Sequence, residues 1–437
     1  MNKGKGQDLW NKAKTIIPGG NMLLSKRAEM FLPENWPSYF EKAKGCYVWD
    51  LDGEKLLDMS IMGIGTNLLG YGQEDIDKAV MKTIKAGNMS TLNCQEEVHL
   101  AEELIALHPW ADMARFARSG GEANAIAIRI ARAAAGKDKI AICGYHGWHD
   151  WYLATNIENS SGLNEHLLPG LSPKGVPNAL IGTSIPFRYN NYKELEFIAE
   201  NNDLAAIKME VQRSEPPKDN FLQKVRALCD RKNIILIFDE CTSGFRECLG
   251  GLHLKHQVNP DMAMFGKALG NGYAITAIIG KESIMQAAQT SFISSTFWTE
   301  RIGPTAALKT IQIMKDIRSW EDVSCKGEFI KELWLKIAKK YNLEIEIGGI
   351  KAIPHFTIKS QNFLKYKTLI TQEMLKNNIL ASNIIFLSTA HQHEQIEFYA
   401  NTLDRIFSVI SECEHNCLEI DSLLEGPVCH SGFKRLT

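Results

Sequence analysis

The chain has 437 residues, 45% of them hydrophobic and 23% charged, with a formal net charge of -2. That length exceeds what one core usually supports, so a large and a smaller domain are expected, and the near-neutral balance gives no pull toward nucleic acid or an anionic membrane. No apolar stretch approaches a bilayer span, and Met1 to Gly6 lack the apolar core of a signal peptide, so the expectation is a soluble protein of the cytoplasm.

In chain order, Asp8 to Ile17 patterns as a short helix stopped by Pro18-Gly19-Gly20. A loop with Pro33 and Pro37 follows, and Tyr47 to Trp49 is expected as a strand turning at Asp52-Gly53. Within that loop Arg27 is a candidate clamp for a carboxylate or phosphate, although surface solvation explains it equally well. From about Gln73, helical patterns alternate with short apolar runs at Lys139 to Cys143, Leu204 to Met209, Ile234 to Phe238, Met262 to Phe265 and Ala274 to Ile279. Such alternation means an α/β fold with a mostly parallel sheet between helices. A long helical stretch, Pro304 to Ile317, then leads into an α+β region ending in Glu394 to Glu412. The domains expected are an N-terminal segment 1–72 contributing to the small domain and the site entrance, a large domain 73–301, and a small C-terminal domain 302–437. No internal repeat or low-complexity tract interrupts them.

Ten cysteines are scattered without the paired CxxC units of a zinc site, so reduced thiols are expected. Cys413 and Cys417 share a helix face but no histidine pair completes a ligand set. His146, His149 and Asp150 have metal-binding types, yet a third convergent ligand is not evident, and no metal is expected.

The chemistry is carried by two segments, Ile234-Ile-Leu-Ile-Phe-Asp239 and Asp261-Met-Ala-Met-Phe-Gly-Lys267. Each is a short apolar run, too short for a free-standing helix, that delivers a polar residue at its carboxyl end. In open α/β sheets that edge is where ligands bind. Gly266 gives the backbone room just before Lys267, and an apolar run from Tyr273 to Gly280 follows, so the lysine lies between two buried elements. An aspartate and a lysine so placed suit pyridoxal phosphate: the amine forms a Schiff base with the aldehyde, and the acid keeps the pyridine nitrogen protonated so that the ring acts as an electron sink. Taken singly, Lys267 reads as a surface lysine and Asp239 as a helix cap or ion pair. Ser119-Gly120-Gly121 opens the Ala-rich helix Glu122 to Ala135, and backbone amides at a helix start form an anion site suited to the phosphate. A plain turn that begins a helix has the same look.

With Ile17-Pro-Gly-Gly20, Tyr47-Val-Trp-Asp-Leu-Asp-Gly53, Tyr145-His146-Gly147, Ser243-Gly-Phe-Arg246 and Ser295-Thr296-Phe297 added, these segments in this order resemble the class III aminotransferases, and within them the glutamate-1-semialdehyde aminomutase branch. The resemblance implies fold type I, a homodimer with active sites shared at the interface, and pyridoxal 5'-phosphate as cofactor. It implies Tyr145 against the ring face, a fitting wall for a planar heterocycle, with His146 from the same motif. Glu210 is implied near the cofactor and Thr296 as reaching the phosphate of the partner's site. Two departures matter. The family carries Thr or Ser where this chain has Gly121, so amides must serve there without a hydroxyl. Beyond Glu210 the chain reads Val211-Gln-Arg-Ser-Glu215, unlike the family, and Glu215 is taken as the contact to the ring hydroxyl.

The implied activity is transfer of an amino group from a donor, glutamate, to an aldehyde or ketone acceptor, with Lys267 holding the cofactor and then moving the α-proton. The alternative is an intramolecular aminomutase, which must retain one molecule through both half-reactions. Leu380 to Ser388 is shorter than the aminomutase pattern and lacks its glutamate, which favours intermolecular transfer. A sugar-related acceptor is suggested by the look of the N-terminal loop and of the tail Gly426 to Phe433. A nicotinamide oxidoreductase lacks support, since no strand runs into a GxGxxG turn and Gly63 to Gly72 has the wrong spacing. A cofactor-binding regulator without turnover is the remaining alternative, but no length is left over for a DNA-binding module.

Overall fold

A computed structural model describes residues 4–166 and 169–433. Met1 to Lys3, the start of the segment read for a signal, and 434–437, the end of the expected small domain, lie outside the described residues. Two compact units emerge, one formed by 1–73 with 321–437 and the other by 74–320.

The first unit joins the two ends of the chain through a four-stranded sheet ordered Phe40–Lys44, Tyr47–Asp50, Lys55–Met59, Ile379–Ala381. The last strand pairs parallel to the third, with Ile379 opposite Leu57, so strands from the two ends of the chain share one sheet. The turn expected at Asp52-Gly53 is there, held by the Asp50 carboxylate, whose Oδ1 accepts the amides of Asp52 and Glu54 at 2.9 and 3.0 Å. The strand Phe40–Lys44 escaped sequence reading because its Phe-Glu-Lys-Ala-Lys is almost wholly exposed and has no buried face to impose alternation. Further along, Trp334 is fully buried against Phe356 with ring centroids 4.8 Å apart, and its indole donates to the Tyr399 hydroxyl at 3.0 Å. This anchors the helix His393–Glu414 by one large apolar surface and one satisfied polar tip.

The second unit is built on a seven-stranded sheet, ordered Met113–Ala117, Thr276–Gly280, Met262–Phe265, Ile235–Glu240, Leu204–Glu210, Lys139–Cys143, Ser184–Pro186. Thr276–Gly280 runs antiparallel to both neighbours and the others are parallel. Every residue of Leu204–Glu210, Ile235–Glu240 and Met262–Phe265 is buried, as expected for strands covered on both faces. The helix Gly120–Ala135 lies over this sheet with Ala123, Ala127 and Ala131 fully buried. Small residues at that spacing allow close helix-to-sheet approach, and Gly136 ends the helix at φ +63.

The unit boundary corrects one expectation. The helix Ile302–Ile317 was assigned to the small domain, but it packs in the second unit against Glu74–Ala86 and Gln95–Leu107, and the boundary falls at 320/321. Its Pro304, Ala306, Ala307, Thr310, Ile311 and Met314 form a buried face, and the Thr305 and Thr83 hydroxyls bond at 3.1 Å.

Candidate active site

Four adjoining strand ends in the second unit deliver the site residues. Asp239 is the penultimate residue of Ile235–Glu240 and lies in register with Glu210, the last residue of Leu204–Glu210. Tyr145 and His146 follow Lys139–Cys143, and Lys267 follows Met262–Phe265.

Lys267 opens a short 3-10 turn with φ +47, a conformation that costs a side-chain-bearing residue and is held by its surroundings. Its Nζ donates to Thr242 Oγ1 at 2.6 Å. Burial, aided by the Arg213 guanidinium, lowers the amine's pKa from 10.5 to about 8, which brings the nucleophilic neutral form within reach of neutral pH.

Asp239 is 3% exposed. Its Oδ2 accepts from His146 Nδ1 at 2.8 Å, its Oδ1 accepts the Cys241 amide at 3.1 Å, and Lys208 Nζ lies 3.7 Å from Oδ2. Burial alone would raise its pKa, but the Lys208 ammonium and the His146 hydrogen bond outweigh it, and the carboxyl stays ionised well below the usual range. Burial and the Lys208 charge press the His146 pKa down while Asp239 pushes it up, and both ring nitrogens face acceptors, Nδ1 the Asp239 carboxylate and Nε2 the Cys143 carbonyl at 3.1 Å.

Glu210 accepts Arg213 Nε at 3.0 Å on Oε1 and 2.8 Å on Oε2, and the Tyr145 amide at 3.2 Å. A β-carbon on Gly144, at φ +113, would stand 2.5 Å from Glu210 Oε2, so glycine there is required both for the turn and for the carboxylate beside it. Tyr145 is half-buried and edge-on to Tyr152, with ring centroids 6.1 Å apart.

At the head of the helix Gly120–Ala135, Ser119 is engaged in a capping box: its Oγ accepts the Glu122 amide at 3.4 Å, and Glu122 Oε2 accepts the Ser119 amide at 2.8 Å. The amides of Gly120 and Gly121 sit where no intrahelical acceptor exists, a position from which amides can donate to an anion. The departure at Gly121 has a structural counterpart. A β-carbon there would lie 2.7 and 2.8 Å from Cε1 and Nδ1 of His149, whose ring stacks on Trp148 at 4.5 Å. His149 Nδ1 is buried and makes no hydrogen bond. His146, His149 and Asp150 thus do not converge as a ligand set.

Glu215 lines the same recess as Glu210 and Arg213 but is exposed, and its Oε2 accepts Lys218 Nζ at 2.7 Å, whereas the buried carboxylate of this segment is Glu210. Thr296 is exposed at the start of a 3-10 turn beside Phe297, which is 68% exposed. Arg27 belongs to the first unit, where it packs beside Gly19 and over the Phe433 ring.

Sequence reading missed Lys208, Arg213 and Thr242, and weighed His149 only as a metal ligand. Lys208 left one signal, a charged residue inside the apolar run Leu204-Ala-Ala-Ile-Lys-Met. Arg213 sits in a segment without family likeness, and nothing in the sequence tied Thr242 to Lys267.

A depressed amine, an ionised carboxylate, a half-buried aromatic ring and two free helix amides match, in chemical type, the aldehyde, the ring nitrogen, the ring face and the phosphate of pyridoxal phosphate. Comparison with known proteins agrees. The sequence profile of the family Aminotransferase class-III matches residues 33–378. The chain is 34% identical over 391 residues to the 3-aminobutyryl-CoA aminotransferase of Cloacimonas acidaminovorans, covering 86% of this chain and 89% of that one. It is 30% identical over 424 residues to the glutamate-1-semialdehyde 2,1-aminomutase of Francisella philomiragia, covering 91% and 96%. Among solved structures it is similar to the FumI protein of Sphingopyxis sp. MTA144 in its PLP internal aldimine form, with a TM-score of 0.85, 25% identity and coverage of 96% and 100%. An omega-transaminase from Sphaerobacter thermophilus has the same fold, with a TM-score of 0.82, 22% identity and coverage of 92% and 97%. The chain belongs to the class-III aminotransferases, pyridoxal-phosphate-dependent enzymes of fold type I.

Proposed function

We propose that this aminotransferase moves an amino group between two separate molecules, from a donor such as glutamate to an aldehyde or ketone acceptor, with Lys267 and Asp239 as its catalytic pair. The observation that carries this reading is the amine of depressed pKa at one strand end beside the ionised, buried carboxylate at the next. Pyridoxal phosphate supplies the electron sink that makes a substrate α-proton acidic and carries the amino group between half-reactions. Lys267 Nζ is the residue for the covalent link and, once released from it, the base that takes the proton from the substrate α-carbon and returns it. Thr242 Oγ1, at 2.6 Å, orients that amine. Asp239 would accept the hydrogen bond of the protonated ring nitrogen, and His146, donating to its Oδ2 at 2.8 Å, orients the carboxylate. Ser119, Gly120 and Gly121 receive the phosphate, with the Ser119 hydroxyl acting through the helix cap. Tyr145 covers the ring face. Glu210, clamped by Arg213, borders the ring edge and takes the part earlier assigned to Glu215.

The acceptor reading rests on chemistry beyond the catalytic pair. Intermolecular transfer is supported by the likeness to an aminotransferase of 3-aminobutyryl-CoA and by the missing glutamate in 380–388. An aminomutase is the second reading, favoured by the 30% identity to such enzymes. A recess of about 270 Å³ lined by Gly144, His166, Arg188, Tyr189, Glu210 and Arg213 offers polar groups for either substrate. A sugar-related acceptor remains a candidate without a residue that selects it. We further propose a homodimer in which the exposed Thr296 and Phe297 meet the partner's site, with Arg27 available to a substrate anion. The ten cysteines are free, which supports the reducing cytoplasm as its compartment.

The test is a pair of half-reactions. The loaded enzyme is offered glutamate, alanine or 3-amino acids, and the pyridoxamine form is then offered keto acids, aldehydes and keto-sugars. Release of a keto product from a separate donor, followed by amination of a separate acceptor, supports the proposal. Isomerisation of a single amino-aldehyde with no product released in between would assign the aminomutase reading instead.

A further inference from the structure

The mechanism above leaves one buried charge without a task. Lys208 is 0% exposed, in the middle of a strand whose every residue is buried. Register sets it opposite Ile142 on one side and Ile237 on the other, and it is two residues before Glu210, so its side chain is on the sheet face that carries Glu210 and Asp239. Its Nζ lies 3.7 Å from Asp239 Oδ2 and 3.6 Å from Met264 Sδ. Met264 is paired with Asp239 on the next strand, so the ammonium lies beneath the carboxylate and among apolar neighbours. A thioether is a weak acceptor. Among the described residues, the carboxylate within ion-pair distance of this ammonium is Asp239, the group proposed to meet the ring nitrogen.

Burial presses the Lys208 pKa down and the Asp239 carboxylate pushes it back up, so the ammonium depends on that pairing: unpaired it is costly, beside a carboxylate it is tolerated. We propose that Lys208 is an internal counter-ion to Asp239 that neutralises part of the carboxylate's charge, so that the enzyme holds a positively charged cofactor ring less firmly than an unshared carboxylate would. Lys208 touches neither substrate nor cofactor in this account and acts through Asp239 as a positioning residue. Two cations flank one anion, the ammonium from below and the ring nitrogen from the open side, and each weakens the hold on the other. The inference rests on the reading that Asp239 meets the ring nitrogen.

The experiment compares two cofactors on the full chain, stripped and reloaded: pyridoxal phosphate, and its carba analogue in which carbon replaces the ring nitrogen and no ring cation forms. The readout is the ratio of their dissociation constants in the wild type, Lys208→Met and Asp239→Asn. Methionine keeps the volume of lysine and suits the neighbouring Met264. With the counter-ion gone, Asp239 depends on the ring cation alone, and preference for pyridoxal phosphate over the analogue rises by about tenfold or more in Lys208→Met. An unchanged or smaller ratio there, with Asp239→Asn still lowering the ratio toward one, overturns the counter-ion role and leaves the site reading intact. If Asp239→Asn has the wild-type ratio, the carboxylate does not meet the ring nitrogen, and both fall. Should Lys208→Met fail to fold, Lys208→Gln, neutral and able to bond Asp239, takes its place with the same expected rise.

Discussion

Lys267 Nζ donates to Thr242 Oγ1 at 2.6 Å, so the amine that must react is held by a neutral hydroxyl and not by a carboxylate. A carboxylate partner would raise the amine's pKa; here burial and Arg213 bring it down to about 8. Capture of cofactor aldehyde by the stripped enzyme should therefore gain rate through a midpoint near pH 8, well below the 10.5 of an ordinary lysine. Arg213→Gln removes a repelling charge and should move that midpoint upward. Stopped-flow absorbance across pH checks both. Because the unfolded lysine still binds its proton between about 8 and 10.5 while the folded one has lost it, this group makes the stripped enzyme more stable as pH rises through that window.

Asp239→Asn strands the Lys208 ammonium in the core without a counter-charge. Loss of one partner of a buried pair costs about 3–5 kcal/mol, and the variant should unfold correspondingly earlier in urea at neutral pH. The unpaired lysine then has a folded pKa below its unfolded one, so stability of the variant climbs as pH is raised. Adding Lys208→Met should restore most of the stability and none of the transamination. In the wild type the depressed Asp239 pKa contributes stability above the ordinary carboxylate range near 3.8, lost as pH falls through the folded value.

Gly121→Thr puts a β-carbon 2.7 to 2.8 Å from the His149 ring and should weaken cofactor binding by forcing that imidazole aside. His149→Ala together with Gly121→Thr makes room for the hydroxyl usual in the family and should recover affinity. Equilibrium dissociation of pyridoxal phosphate from the wild type and the two variants is the measurement.

Glu210→Gln and Glu215→Ala separate the two acids of one segment. Glu210 is 6% exposed and holds both Arg213 and the Tyr145 amide, so its loss of charge should lower activity and loosen the cofactor. Glu215 is exposed and pairs with Lys218, with Asn190 nearby, and its removal should change stability by less than about 0.5 kcal/mol and leave cofactor affinity unchanged.

The parts legible in the sequence were those where burial on both faces writes a continuous apolar run. Met262 to Phe265 and Lys139 to Cys143 match their strands at both ends, and the polar residue that ends each run is the one that reaches the site. Asp239 and Lys267 were read for that reason. What escaped were contacts made across the fold. Glu215 was named because a carboxylate near a site looks functional in sequence, while its pairing with Lys218 three residues on shows only in the structure. Lys208 stood in plain view, but only strand register shows that it lies beneath Asp239 and not on the other sheet face. The helix Ile302–Ile317 was misassigned for a related reason: its apolar face is evident, but the face it covers is set by helices two hundred residues earlier in the chain.

The central claim is tested most directly by reducing the loaded enzyme with borohydride and locating the phosphopyridoxyl group by peptide mass spectrometry. The account predicts one adduct, on Lys267, absent from Lys267→Ala together with the aldimine absorbance and the transaminase activity. An adduct on another lysine, or full turnover by Lys267→Ala, would contradict it.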